Sequence, residues 1–553
     1  MGERIFIKNI ISEFDFLKDK KNSLKSGYVI DVGNSGFLIP LNIDLIKNKE
    51  LIRNTQEWNI KSYSDDFSVL DNLKKTIDVP EKICFLVADK TFSYRGLFEV
   101  NVNHDNSFNS IIENLTYDDD YQNLIFSSLK SLIKWSISVL FIEQFFIKIN
   151  IEKKNLIKNL NRINFIKIEN TKNFSIMKLS KDESIGEQMI LTAGPSIGSR
   201  EKVFALDAAS NGWNNQWDKY LKEFESKFAE YVGVKYAIAT SSCTGAMHIA
   251  LMSLDLKKGD EVIVPDITWV STANAVLLAG GIPVFADIDL KTWKIDPNSI
   301  KKLINSKTRA IMPVHLYGNP CDMNIIMEIA KENNLFVIED AAPSIGAEIN
   351  GKKTGSFGHF SAFSFQGAKL AVTGEGGMLC TNDEELYKKA YRIHDQGRIP
   401  GTFWIEELGL KYKMSNIQAA LGLGQIIRND AMVEAKRRIN NWYKERLEGV
   451  GGIDFWSEDE NTKSIYWMTN IRLNKNSKIN RDKFCQKLKS YNIDSRPVFP
   501  AISQYPYWPK KQDPQPIAKL VGDTGINLPS GVALTKNHID YICDKIIEII
   551  KFD

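Results

Sequence analysis

From Trp217 to Ala342 the chain alternates between amphipathic stretches and short, wholly apolar runs. WDKYLKEFESKFAEYVG repeats its apolar residues every three or four positions and closes on glycine, a pattern that predicts a helix. TGAMHIALMSLDL, WVSTANAVLLAGG and MNIIMEIAKENN are read the same way, while KYAIATSS, DEVIVPD, IPVFADID, RAIMPVHLYG and LFVIEDAA are strands. Strands that are apolar on both faces, with helices between them, imply a mostly parallel sheet covered on both sides. Ligands of such sheets sit beyond the carboxyl ends of the strands, so chemistry is expected in the residues that follow each run.

At 553 residues the chain exceeds a single core. Its first part is rich in Ile, Asn, Lys and Phe and has no glycine between Gly96 and Gly186. The expected division is a domain over residues 1–178, a linker over 179–188, a large domain over 189–435 and a small one over 436–553. A net charge of +3 is too mild to imply a nucleic-acid partner. The scattered cysteines lack the close pairs of a zinc site or disulfide framework, so no metal is expected and a reducing cytoplasm fits. MGERIFIKNIISEFDF carries acids too early for a signal peptide, and WSISVLFIEQFF is too short to span a bilayer, so no membrane insertion is expected.

The strand ends carry unlike residues. Ser241, Ser242, Cys243, Thr244 and Gly245 precede a helix, where small residues leave amides and a helix dipole facing an anion. An N-capped tight turn would look the same. Trp269 follows DEVIVPD as a flat surface on which a planar ring could stack, though core tryptophans are common. Asp340 ends LFVIED among apolar neighbours and needs a cationic or hydrogen-bonding partner, or else caps the next segment. SAFSFQGAKLAVTGEGGML then adds a hydroxyl, Ser364, and an amine, Lys369, embedded among glycines. Anion cradle, stacking surface, buried acid and amine are together what pyridoxal phosphate requires.

With GDEVIVPDITWVSTANAV, PVFADIDLKTWKIDP, VIEDAAPSIGA, FSFQGAKLAVTGEGGMLCTND, KYKMSNIQAALGLGQ, RPVFP and GINLPSG in order, residues 189–553 resemble the DegT-type sugar aminotransferases. That resemblance implies an α/β fold of fold type I, a mostly parallel sheet with a smaller C-terminal domain. It implies pyridoxal 5'-phosphate as cofactor, with pyridoxamine phosphate as its aminated form, and Lys369 as the Schiff-base lysine and proton carrier. Asp340 is then the partner of the ring nitrogen, Trp269 the stacking ring, and Ser364 with the backbone of Cys243, Thr244 and Gly245 the phosphate holder. His315, Tyr317, Gln366 and Arg496 are placed toward the sugar. The resemblance further implies a homodimer with shared active sites, a nucleotide-linked keto sugar as substrate and glutamate as donor.

Several positions depart from the family pattern. Gln366 stands where His or Phe is frequent, and Pro343 where Gln or Glu would meet the cofactor hydroxyl. Lys411 replaces the Asn before the Tyr-Arg-Met motif and could reach a partner's cofactor phosphate. RPVFPAISQYP is similar to the perosamine-synthase branch, which acts on GDP-4-keto-6-deoxymannose for surface polysaccharide such as lipopolysaccharide O-antigen. Dehydratase relatives carry histidine in place of the lysine, so Lys369 favours amino transfer over dehydration or isomerisation; a ligand-binding sensor would need none of the set.

In the first part, CFLVADKTFSYRGLFEVNVNH to FFIKINIEKKNLIKNLNRINFIKI reads as strand, turn, strand, strand, helix, strand, helix, strand. The order resembles an α+β GNAT acyltransferase domain. Its phosphate loop would be TYDDDYQNLIFSS, which lacks glycine and sets Asp118, Asp119 and Asp120 where a pyrophosphate would lie. A non-catalytic domain is therefore expected, the alternative being a bifunctional aminotransferase and N-acyltransferase.

Overall fold

The computed structural model describes residues 188–552 and, before them, 30–31, 36–40, 82–89, 94–103, 109–117, 122–139, 144–150, 152–161, 165–170, 174–179 and 185–186. The chain divides into two compact units: Met1–Ile185 with Ser196–Asp207 and Thr535–Asn537, and Gly186–Pro195 with Ala208–Leu534 and His538–Asp553. No helix among the described residues is long and apolar enough to cross a membrane.

The first unit holds strands β1 (Ile30–Asp31), β2 (Gly36–Pro40), β3 (Lys82–Asp89), β4 (Tyr94–Asn103), β5 (Asn109–Tyr117), β6 (Gln144–Asn150), β7 (Phe165–Asn170) and β8 (Phe174–Leu179). They form one eight-stranded sheet in the order β1-β2-β3-β4-β5-β6-β8-β7. Helix α1 (Gln122–Val139) makes the crossover that lets β5 and β6 run parallel. Ile112, Ile147 and Met177 occupy one row across β5, β6 and β8, and all are buried. The expected element order is present, with β8 added beside β6. Asp118, Asp119 and Asp120 lie outside the described residues.

In the second unit helix α2 (Lys219–Val232) leads into β9 (Tyr236–Thr240). Gly233 ends α2 in the left-handed conformation, at φ 81°, that its lack of a Cβ permits. There follow α3 (Cys243–Ser253), β10 (Glu261–Pro265), α4 (Ser271–Leu278), β11 (Ile282–Ala286), β12 (Thr308–Ile311), α5 (Met323–Glu332), β13 (Phe336–Asp340), β14 (Phe360–Ser364) and β15 (Gly377–Thr381). The seven strands order β11-β10-β12-β13-β14-β15-β9, and β15 alone runs antiparallel to its neighbours.

The apolar runs are continuous because each strand feeds two cores. Val262, Val264, Ile338 and Ala362 join α3 and α4 on one face. Ile263, Ile311 and Val337 join Met323, Ile326 and Ile329 of α5 on the other. Beyond the sheet, α6 (Asn416–Ile427) begins with a capping box of Ser415 and Gln418, and α7 (Asn429–Leu447) follows at once. A domain boundary at residue 435 would fall inside α7, which runs through it. A four-stranded sheet made of Ile453–Asp454, Thr469–Leu473, Gly525–Leu528 and Arg496–Pro497 closes the unit. The parallel strands β9, β10, β13 and β14 all end at one edge, and the polar residues just past them share it.

Candidate active site

Ser242 caps α3: its Oγ accepts the Gly245 amide at 3.0 Å. The single N–H of Gly245, expected in an anion cradle, is engaged by the cap, while Cys243 and Thr244 stand in the first turn, whose amides have no carbonyl within the helix. Gly377 lets β15 start directly against this helix end, since a Cβ there would lie 2.5 Å from the Ser242 backbone and 2.6 Å from the Cys243 nitrogen. Tyr412 covers the same end, its carbonyl accepting the Ser241 amide at 2.7 Å. Lys411, beside Tyr412, has an exposed side chain.

Asp340 ends β13 with its carboxylate buried. Oδ2 accepts the Thr272 hydroxyl at 2.7 Å and Oδ1 the Ala342 amide at 3.1 Å. Thr272 Oγ1 also lies 3.2 Å from the Trp269 carbonyl. Its single proton goes to the nearer, charged acceptor, and Thr268, 3.1 Å away, can donate in turn to Thr272. Burial pushes the Asp340 carboxyl above the usual carboxylate range, opposed by those hydrogen bonds and by the charge of Lys369. This is a buried acid suited to a cationic N–H.

Lys369 rides on a turn between β14 and β15. Its amide donates to the Gln366 carbonyl at 2.8 Å, and Gln366 Oε1 accepts the Ala368 amide at 2.9 Å. Gln366, expected toward the sugar, is exposed, and its amide oxygen also holds the lysine's turn. Gly374 and Gly376, at φ 87° and 155°, close the loop in conformations that side chains rarely adopt. Lys369 Nζ lies 3.7 Å from the centre of the Trp467 ring, a cation–π contact. Burial pushes its amine down to about 8, with Asp340 and Cys243 opposing. Lys369, Asp340 and Cys243 thus feel one another's charge, which puts the strand ends of β9, β13 and β14 in one site.

Trp269 follows β10 with 60% of its surface exposed, its ring 5.7 Å from that of Phe499. Ser364, at the end of β14, is buried and its Oγ accepts the Gln366 amide at 3.4 Å. Arg496 is exposed, with Nε 3.5 Å from the Asp494 carboxylate.

His315 and Tyr317, expected toward the sugar, are both buried. His315 is wholly buried; Nδ1 accepts the Cys321 amide at 3.0 Å and Nε2 meets Glu339 at 3.1 Å. An amide aimed at Nδ1 requires a lone pair there, so the ring is the neutral tautomer that donates from Nε2. Burial opposes the charge on Glu339, but the hydrogen bond from His315 and those from the amides of Gly355 and Gly358 hold the carboxyl below its usual range. The pair braces the residue before Asp340. Tyr317 is buried in a stack, its ring centre 5.5 Å from Phe499 and 5.9 Å from Trp467. Its φ of 52° is strained for a tyrosine, and Trp467 N–H donating to its carbonyl at 2.9 Å helps fix it.

Thr272 and Trp467 were not legible as site residues. Thr272 sits in the first turn of a helix where threonine is ordinary, and Trp467 lies in an apolar run, SIYWMTNI, like that of any strand.

A buried acid with no bonded cation among the described residues, an amine lowered toward neutrality, an exposed indole and a helix end of small residues fit pyridoxal phosphate: Asp340 for the ring nitrogen, Lys369 for the aldehyde, Trp269 for the ring face, Ser364 and the α3 amides for the phosphate. The sequence profile of the DegT/DnrJ/EryC1/StrS aminotransferase family matches residues 195–547. The chain belongs to this aminotransferase family. It is similar to the GDP-perosamine synthase of Caulobacter vibrioides, 39% identical over 65% of this chain and 98% of that one. It is 32% identical to a putative pyridoxal phosphate-dependent aminotransferase of Bacillus subtilis over 65% of this chain and 95% of the relative. The crystal structure of an aminotransferase from Psychrobacter cryohalolentis superposes with a TM-score of 0.60 at 30% identity, covering 63% of this chain and 96% of that one. The chain is accordingly a pyridoxal phosphate-dependent aminotransferase.

In this aminotransferase, Thr272→Val keeps the shape of the side chain and removes the hydroxyl. A hydrogen bond to a charged group is worth about 1.5–3 kcal/mol, so cofactor affinity should fall roughly tenfold or more. Quenching of tryptophan fluorescence on titration with pyridoxal phosphate reads it; unchanged affinity would remove Thr272 from the site.

Proposed function

We propose that the enzyme transfers the amino group of glutamate to the keto carbon of a GDP-linked 4-keto-6-deoxymannose-type sugar, giving an amino sugar for surface polysaccharide. The reading is carried by the Lys369 and Asp340 pair, and supported by the likeness to GDP-perosamine synthase along nearly all of that relative's length. When bound, pyridoxal phosphate supplies an electron sink for the carbon that loses a proton. Lys369, with an amine lowered to about 8, is near enough to neutrality to attack a carbonyl carbon and then to carry a proton on Nζ. The Trp467 face covers one side of that nitrogen, while Asp340 holds positive charge at the ring nitrogen and Trp269 orients the ring.

The working unit is a homodimer with shared active sites. Supporting this, the hairpin over residues 397–406 and its continuation leave Phe403, Trp404 and Leu408 exposed by 95%, 70% and 85%. Apolar side chains clustered that openly mark an interface. Among the described residues Cys243, Cys321, Cys380 and Cys485 form no disulfide, which suits a cytoplasmic location.

Purified enzyme given glutamate and a panel of nucleotide-linked 4-keto and 3-keto sugars, with products read by mass, should aminate the GDP-linked 4-keto sugar best. Initial rates should give parallel double-reciprocal lines, because glutamate's nitrogen is left on the enzyme before the sugar binds. Intersecting lines, or loss of water with no nitrogen gained, would favour a dehydratase instead.

A further inference from the structure

A buried lysine on α7 has no use in the chemistry described so far. Lys436 is 5% exposed, and its Nζ donates to the Trp467 carbonyl at 2.7 Å and to the Ser530 carbonyl. No salt bridge among those of the described residues engages it, and burial pushes its amine down to about 7 with no acid opposing. A methionine would fill the same space without the desolvation that an amine suffers there. The amine's hydrogen bonds are therefore the reason to look for a role.

Those bonds converge on the residue that covers Lys369. The Trp467 amide donates to the Tyr317 carbonyl at 2.9 Å, and its indole Nε1 donates to the Ala368 carbonyl at 2.8 Å, next to the reacting lysine. With Lys436 on its carbonyl, Trp467 has amide, carbonyl and indole N–H all fixed. Ser530 continues the brace: its Oγ accepts the Thr469 amide at 2.8 Å, two residues beyond Trp467. Remove Lys436, and two buried carbonyls lose their donor: the Trp467 main chain loses its own tie to α7, although Arg437 still holds the Ser464 carbonyl upstream.

We infer that Lys436 is a positioning residue: by pinning the main chain of Trp467 it holds the indole face against the Lys369 amine and keeps that amine dry and oriented for attack. Lys436 touches neither Lys369 nor substrate. The inference rests on Lys369 being the reacting amine and not on which sugar is used.

The test reads Lys369 in the cofactor-free protein. Trace acetic anhydride is applied across a pH series and acetylation of each lysine peptide is measured by mass, with exposed Lys257 as internal reference. In the wild type, Lys369 should become reactive with a midpoint near 8, the value burial gives it. In Lys436→Met the indole loosens and water reaches Nζ. The midpoint should then rise by about one unit toward the ordinary lysine value, lowering Lys369 acetylation near neutral pH roughly tenfold. Lys436→Arg, which restores donors to the carbonyls, should recover most of it. A Lys369 profile unmoved in folded Lys436→Met overturns the inference, as does a wild-type Lys369 that titrates like Lys257. If the Met variant does not fold, Lys436→Gln, whose shorter amide reaches one carbonyl at most, is measured the same way; an unshifted profile there overturns it too. A shift supports it even if no sugar in the panel is aminated, so its failure and that of the substrate assignment are told apart.

Discussion

Lys369→Ala should abolish amino transfer while leaving the fold and a weaker, noncovalent hold on pyridoxal phosphate. The substitution removes the amine that attacks and the one group in position to carry the proton. Proton transfer alone is worth about a hundredfold to ten-thousandfold, so a loss of at least about ten-thousandfold in turnover is expected from the two roles together. Asp340, Ser364, Trp269 and the α3 amides are untouched, so fluorescence titration should still detect the cofactor. Turnover within tenfold of the wild type, measured as oxoglutarate released from glutamate, would remove Lys369 from the mechanism.

Asp340→Asn should give the second largest effect, and it should act in opposite directions on activity and stability. A neutral amide cannot hold positive charge at the ring nitrogen, and losses of this electrostatic kind are about a hundredfold to a thousandfold. An Asn variant with near-normal turnover would exclude that role. In the cofactor-free protein, burial raises the Asp340 carboxyl above its ordinary value. Folding then favours the protonated acid: its contribution to stability is whole below the unfolded value and is lost as pH rises through the folded one. At neutral pH the charged carboxylate is a burden on the free protein that Asn does not carry. The cofactor-free variant should therefore melt above the wild type at pH 7, with the gap closing as the solution is made acid. Adding pyridoxal phosphate should reverse the order.

The parts of this site that could be read from sequence are those whose residue types are out of place. An aspartate closing LFVIED, a lysine among glycines and a tryptophan after a strand stand against the apolar grammar of a doubly covered sheet, and the parallel topology puts them at one edge. His315 and Tyr317 follow a strand in the same way, yet their side chains are buried. Which polar residue after a strand turns outward depends on its partners. His315 is claimed by Glu339 on the next strand and by the Cys321 amide in the loop that follows, and the Tyr317 ring by Phe499 and Trp467, both distant in sequence. Trp467 and Lys436 were illegible for the converse reason: an indole in an apolar run and a lysine in an amphipathic helix look ordinary until the fold sets one on Lys369 and the other beneath it. The expected division at residue 435 falls within α7, and α6 and α7 meet end to end with no glycine or proline between them to mark a boundary.

The central assignment, that Lys369 is the amine that carries the cofactor, is tested most directly by trapping. The full chain is loaded with pyridoxal phosphate, reduced with sodium borohydride, digested, and its peptides mapped by mass. The expected result is one modified peptide, from the SAFSFQGAKLAVTGEGGML segment, with the added mass on Lys369. Modification of another lysine, Lys411 or Lys436 included, or of none, would contradict it.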